Sequence, residues 1–271
     1  MPVTNPIVET YSRLADQYDD EANVGSCWGR AAEKALSCIL LRDSYQVVLD
    51  VGCGTGRALA HFASKARPGV RFIGLDPAEN MRKRAIHRTQ PYPNTEIRDG
   101  SFEAMPLDAH SVDYLFSIFA FHWTTDLTAS VREIARVLKP ASEMDLFFIG
   151  RNNGREFIQK TTPIFLKYMG PALLLNSARM RKQLTCQAAF QLFAQLFAPA
   201  RVSVEESHDT YYDTLEGHWG WWVRIEGHFV ELPPGKRRQC NREVREALSS
   251  LAGEEGIPYT IHQLHVKLRS A

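Results

Sequence analysis

Val47-Val48-Leu49-Asp50-Val51-Gly52-Cys53-Gly54-Thr55-Gly56 decides how this chain is read. The apolar run has the character of a buried parallel strand. Three glycines at alternate positions then mark a tight strand-to-helix turn that lets a ligand approach the backbone. A second apolar run, Val70 to Leu75, ends in Asp76. Strand, glycine turn, helix and a second strand ending in an acid make a nucleotide-binding βαβ unit.

The spacing narrows the nucleotide. The dinucleotide fingerprint G-x-G-x-x-G puts its third glycine three residues after the second. Here it follows after two, and Arg57 comes next. A pyrophosphate is held by bare amides at a helix N-terminus. A carboxylate at Asp50 would repel it and would suit the ammonium of an amino-acid moiety.

Outward from this unit, strands are expected at 46–51, 70–75, 95–98, 112–118 and 143–149, forming a doubly wound core over about 45–150. Leu127, Val131, Ile134, Ala135 and Leu138 put one apolar face on a helix at 125–138, which Lys139-Pro140 ends. Apolar residues from Ala31 to Leu41 have helical spacing. Residues 151–182 read as a greasy, basic helical segment, and helices follow at 185–197, 214–225 and 240–252. Strands at 201–207 and 260–268 suggest an antiparallel hairpin at the sheet edge.

Composition limits the alternatives. The 271 residues carry a net charge of +1, so no overall field recruits nucleic acid. No apolar run is long enough to span a bilayer, and no secretion signal is apparent. The five cysteines are scattered with no C-x-x-C pair. That indicates neither a zinc site nor a disulfide framework, and a reducing cytoplasm is the expected compartment. No metal is expected, and no membrane partner.

The pattern D-x-G-x-G-x-G, from Asp50 to Gly56, resembles the first motif of class I S-adenosylmethionine-dependent methyltransferases. Ser117-Ile118-Phe119-Ala120-Phe121-His122-Trp123 resembles the region after the fourth strand in carboxyl methyltransferases of the small-molecule branch. These include enzymes acting on malonyl-carrier protein, trans-aconitate and juvenile hormone acid. The resemblance covers roughly residues 8–150 and, weakly, the C-terminal hairpin. It implies an α/β fold, a doubly wound seven-stranded mostly parallel sheet with helical lid insertions. One domain, 1–271, would divide into a helical cap (1–40), a cofactor-binding core (45–150), substrate lid segments (151–184 and 210–258) and a C-terminal strand pair (200–208 and 260–268).

The resemblance also implies S-adenosylmethionine as cofactor and a set of site residues. Asp50, Gly52, Cys53 and Gly54 would line its methionine end. Asp76 would accept hydrogen bonds from both ribose hydroxyls, and Pro77 and Met81 would pack on the adenine. Tyr11 and Tyr18 would belong to a cap closing over the cofactor, and Ser117 would sit near the sulfonium. The family usually has an acid directly after Gly100, where this chain has Ser101. Asp99, the Ser101 hydroxyl or the Phe102 amide is then left to bind the adenine amine. Ala141-Ser142 replaces two common glycines after Lys-Pro, which affects only a connection.

The expected reaction is methyl transfer to a small, partly apolar molecule, with carboxylate O-methylation leading and C-methylation as the alternative. A catalytically idle cofactor-binding partner subunit is the non-enzyme alternative. No Asn-Pro-Pro-Tyr motif follows the fourth strand, which speaks against nucleic acid as substrate. A carboxylate is already ionised at neutral pH and needs a positive anchor, whereas a hydroxyl or carbon acid needs a base. His122 stands where a base or an anchor belongs, or it is a helix-start histidine without chemistry. Trp123, and Trp219 and Trp222 in His218-Trp219-Gly220-Trp221-Trp222, are candidates for a flat apolar substrate wall. Arg179, Arg181 and Lys182, or Arg237 and Arg238, are candidates to hold a substrate carboxylate or the acidic face of a carrier protein, with a solvated basic face as the plainer reading.

Overall fold

The computed structural model describes residues 5–224, 232–233 and 235–270, with the backbone alone for residues 22 and 222–224. The chain opens with α1 (Pro6–Leu14), a 3₁₀ turn (Ala15–Gln17), the short α2 (Glu21–Val24) and α3 (Cys27–Ser37). Asn5 and Ser26 cap α1 and α3 through their side-chain oxygens. The core alternates β1 (Val47–Val51), α4 (Arg57–Ala63), β2 (Arg71–Leu75), α5 (Glu79–Thr89), β3 (Thr95–Arg98), β4 (Val112–Ile118), α6 (Leu127–Val137) and β5 (Leu138–Ile149). Then come α7 (Arg155–Arg179), α8 (Cys186–Ala194), β6 (Val202–Asp213), α9 (Leu215–Arg224), α10 (Arg237–Ser249) and β7 (Ile257–Leu268). No described helix is long and apolar enough to cross a membrane.

Among the described residues seven strands form one sheet in the order β3-β2-β1-β4-β5-β7-β6. β1 to β5 are parallel, and β7 runs antiparallel between β5 and β6. The strand order reverses between β1 and β4, which opens a crevice at their C-terminal ends. Alternate residues fill the two faces. Leu49, Ile73, Leu115 and Leu146 pack on one with Val131 and Ile134 of α6. Val48, Phe72, Phe116 and Phe147 pack on the other with Leu59, Phe62 and Ala85 of α4 and α5.

The antiparallel strand is fixed by a buried polar junction. Asp145 on β5 accepts hydrogen bonds from His265 Nε2 (2.6 Å), Arg269 (2.7 Å) and the Tyr114 hydroxyl (2.6 Å). Burial alone would raise its pKa, but these donors outweigh it and hold the carboxyl below its usual value.

Two boundaries differ from the sequence reading. β6 and β7 pair without interruption from Val202↔Leu268 to Asp213↔Ile257, so the strands run past the expected limits of 208 and 260. β6 is the sheet's edge, and its exposed polar residues Glu205, Glu206, His208 and Thr210 hide the apolar alternation. The expected helix at 125–138 is α6, and Leu138 already belongs to β5. The greasy 163–175 stretch lies in α7, which breaks at Gly170 (φ 73, ψ 169) before Pro171. Its Phe165, Tyr168 and Met169 join Trp221, Val244 and Tyr259 in a core of their own against the sheet.

Candidate cofactor and substrate site

The glycine turn after β1 is built by its neighbours. The Leu75 carbonyl accepts from the amides of Gly52 (2.7 Å) and Cys53 (2.9 Å). Asp76 Oδ2 accepts from the Gly54 amide and Oδ1 from the Ala78 amide, each at 2.8 Å. These amides are spent inside the protein and are not free to hold a pyrophosphate. Gly52 (φ 76) is required on two counts, because a Cβ there would stand 2.2 Å from the Ala120 Cβ. The turn is thereby pressed against the segment that follows β4.

Two connected hollows open at this crevice, of about 390 Å³ and about 180 Å³. Tyr11, Tyr18, Gly52, Gly54, Ile118, Phe119 and Trp123 border both. The larger is lined by Asp76, Pro77, Met81, Ser101 and Phe102 as well. The smaller adds Asp50, Cys53, Thr55, Trp28, His122 and Arg181. Tyr11 packs edge-on against both Tyr18 and Trp123 at 6.1 Å, so the N-terminal segment roofs the hollow.

The electrostatics call for a cation at one place. Asp50 is 2% exposed, and among the described residues no hydrogen bond or ion pair reaches its carboxylate. Burial, and then the nearby Asp76, push its pKa well above the usual range. Asp76 is pushed up to about 6 by burial, against the two amides that favour its charge. An ammonium beside Asp50 would relieve a buried charge. Asp76 keeps a lone pair on each oxygen for two hydroxyl donors. Burial pushes the Tyr18 phenol up to about 12.

His122 lies in a 3₁₀ turn, Phe121–Trp123, and its carbonyl accepts from the Lys182 amide at 2.8 Å. The residue is 3% exposed, and among the described residues no hydrogen-bond partner reaches its Nδ1. Burial, and then the Arg181 guanidinium, push its pKa well below the ordinary histidine value. Arg181 lies over the Trp123 ring, 5.1 Å from its centre. The smaller hollow thus holds a neutral imidazole beside a cation, with Trp28, Phe119 and Ile149 as apolar walls.

Several expected residues lie elsewhere. Ser117 is fully buried and donates to the Val51 carbonyl at 2.6 Å. It braces β4 against β1 and does not line either hollow. Asp99 is 73% exposed on its side chain and pairs with Arg82 at 3.0 Å, outside the lining, because the chain turns its carboxylate to solvent. Gly100 does not line the hollow; Ser101 and Phe102 do. Trp219 packs in the α7–α10 core with Arg245 over its ring, since α9 faces α10 there. The side chain of Trp222 lies outside the described residues. Trp28, Phe119 and Thr55 line the site without having been expected there. Phe119 carries a signal only in the structure, a left-handed φ of 57 in a residue other than glycine.

The sequence shows no clustered metal ligands, yet β6 and β7 bring Glu206, His208 and His262 within 4.8 Å of one another. The Asn152 amide donates to His262 Nδ1 at 3.0 Å, which leaves the neutral ring's proton on Nε2, the atom facing the other two. In that tautomer Nε2, 3.5 Å from the Glu206 carboxylate, carries its proton and is not a ligand. None of the three lines the hollows.

Comparison with known proteins agrees with this geometry. Residues 49–144 match a family model described as a methyltransferase domain. A malonyl-[acyl-carrier protein] O-methyltransferase from Yersinia pestis is 37% identical over 135 residues, 49% of this chain and 46% of that protein. The chain spans about half the length of the curated relatives of this name that it matches. The fold is similar to that of the YcgJ protein from Bacillus subtilis (TM-score 0.57, 17% identity, covering 90% of this chain and 99% of that one). It is also similar to phosphoethanolamine N-methyltransferase 2 from Haemonchus contortus, solved with S-adenosylmethionine (TM-score 0.57, 14% identity, covering 97% and 57%). Residues 49–144 thus carry the sequence of a methyltransferase domain, on a 3-2-1-4-5-7-6 sheet similar to that of solved methyltransferases and with the two hollows at its switch point.

Proposed function

We propose that the protein transfers a methyl group from S-adenosylmethionine to the carboxylate of a small, partly apolar acid, free or carried on a carrier protein. In this reading the ammonium of the methionine end rests on Asp50, the ribose hydroxyls on Asp76, and the adenine against Pro77, Met81, Ser101 and Phe102. Residues 1–40 act as a cap, and 151–184 with the segment after β6 as a substrate lid. Bound S-adenosylmethionine supplies a methyl group already activated by its sulfonium.

The chain's own work is then alignment and exclusion of water. The observation that carries the reading is Arg181, brought beside His122 in the smaller hollow and held over Trp123. A guanidinium suits a carboxylate, and a carboxylate nucleophile needs no base. His122, with its pKa pushed down, is a weak base but a good neutral donor. The relatives named as malonyl-carrier-protein O-methyltransferases support the same reaction class.

The test is a screen of apolar carboxylic acids and their carrier-protein thioesters with labelled S-adenosylmethionine. The product should be a methyl ester, labile to mild base. Arg181→Ala should raise the KM for the acid about 10- to 100-fold, the scale of a charge-assisted pair, and leave cofactor affinity unchanged. A base-stable product would move the assignment to C-methylation. Cofactor binding without any turnover would make the protein a binding subunit.

A further inference from the structure

Asn80, Arg84 and Arg88 stand one turn apart on a single face of α5, and each grips the N-terminal cap. The Asn80 amide and side chain donate to the Ser12 hydroxyl (3.2 Å) and carbonyl (3.0 Å). Arg84 donates to the Asp16 carboxylate (3.1 Å) and carbonyl (3.0 Å). Arg88 differs from both, because it also holds the glycine turn. Its guanidinium donates to the Thr55 hydroxyl (2.8 Å) and carbonyl (3.2 Å), and to the Asp19 carboxylate (2.8 Å). The Thr55 hydroxyl closes the triangle by donating to Asp19 at 3.0 Å. Asp19 and Thr55 both line the smaller hollow, and Tyr18 beside Asp19 borders both hollows, whereas Arg88 borders neither.

We propose that Arg88 is a positioning residue that latches the cap to the glycine turn and thereby sets how long the cofactor stays bound. The inference rests on the reading of the hollow as the S-adenosylmethionine site. A ligand there touches the turn at Gly52 and Gly54 and the roof at Tyr11 and Tyr18. It leaves only when roof and turn separate, and that separation breaks the Arg88–Asp19 bond while Arg88 stays on Thr55. The Arg84–Asp16 pair is more exposed, 44% and 88% against 33% and 29% for Arg88–Asp19, so solvent screens it more. It ties the cap to α5 alone and leaves the turn untouched.

The experiment is a chase of radiolabelled S-adenosylmethionine by the unlabelled compound, with association followed by tryptophan fluorescence. Arg88→Ala should speed dissociation about 5- to 30-fold, less than a fully buried charge-assisted bond would give, with the association rate within about twofold. Arg88→Lys should restore part of the loss, and Arg84→Ala should change dissociation by less than about threefold. Raising salt from about 20 to 500 mM should speed dissociation from the wild-type protein and leave Arg88→Ala nearly flat. This second measurement stands even if the alanine variant folds poorly. Dissociation from the wild type that is insensitive to salt, or an Arg88→Ala rate equal to wild type, overturns the latch. A wild-type protein that does not bind S-adenosylmethionine overturns the site reading itself, and the two failures are told apart by the first titration.

Discussion

Asp50 and Asp76 are two carboxylates whose charges the protein tolerates at a cost. Both have raised pKa values, Asp76 to about 6. An acid whose folded pKa exceeds its unfolded value, about 3.9, binds its proton more tightly in the folded state. It therefore weakens the fold above pH 6, and the penalty is relieved as pH falls through 6 toward 4. The unfolding free energy of the ligand-free protein, measured relative to Asp76→Asn, should rise by about 1 kcal/mol between pH 8 and pH 5. Urea melts across that range check it, and a difference that is flat with pH would contradict the shift. The neutral histidines His122, His218 and His262 oppose this trend in absolute stability, which is why the comparison with the variant is the informative one.

Among the elements, β7 is the one whose direction departs from the parallel core, and its placement rests on side chains as well as on its ladder. Asp145 on β5 binds His265 and Arg269 from the β7 end of the chain, and Tyr114 from β4. Its pKa is held down, so its contribution is present above the unfolded value near 3.9 and is lost as pH falls through the lower folded value. Asp145→Asn should cost about 2–4 kcal/mol at pH 7, since it leaves buried donors short of an acceptor. The deficit against wild type should begin to shrink below about pH 4, where the unfolded chain takes up a proton that the folded Asp145 still resists, and should close only below the lower folded value. Chemical denaturation at pH 7 and pH 3.5 reads both numbers.

At the scale of the whole molecule, the helices after β5 do not form a separate body. Their core takes Ile149 from β5 and Ile257, Tyr259 and Ile261 from β7. Trp221, fully buried, packs edge-on against Trp28 at 5.7 Å and Tyr259 at 5.1 Å, and Trp28 in turn walls the smaller hollow. One cooperative unfolding transition is expected, coincident by tryptophan fluorescence and far-ultraviolet circular dichroism. Trp221→Ala should move that single transition by about 3–5 kcal/mol, the usual cost of removing a large buried ring. A separate early transition in the variant would show that the helices unfold independently of the sheet.

The local chain was enough for the parts governed by local rules. Glycines at 52, 54 and 56 need left-handed backbone, apolar runs of strand length at 47–51 and 71–75 need burial, and an acid after β2 follows from the βαβ geometry. The doubly wound core and its crevice were legible for that reason. The edge strand β6 was legible only in part, because both of its faces carry exposed residues. Contacts between distant segments were decided by the tertiary structure. Ser117 has the right position in the chain for a site residue, but the packing of β4 on β1 spends its hydroxyl on Val51. Arg181, one of several basic candidates, reaches the hollow only because the segment after α7 crosses over the His122 turn. The triangle of Asp19, Thr55 and Arg88 spans 69 positions in sequence and leaves no periodic trace in it. Side-chain spacing reports on neighbours three or four residues away, whereas a site assembled from distant segments is set by how the sheet orders its strands and where the N-terminal helices come to rest.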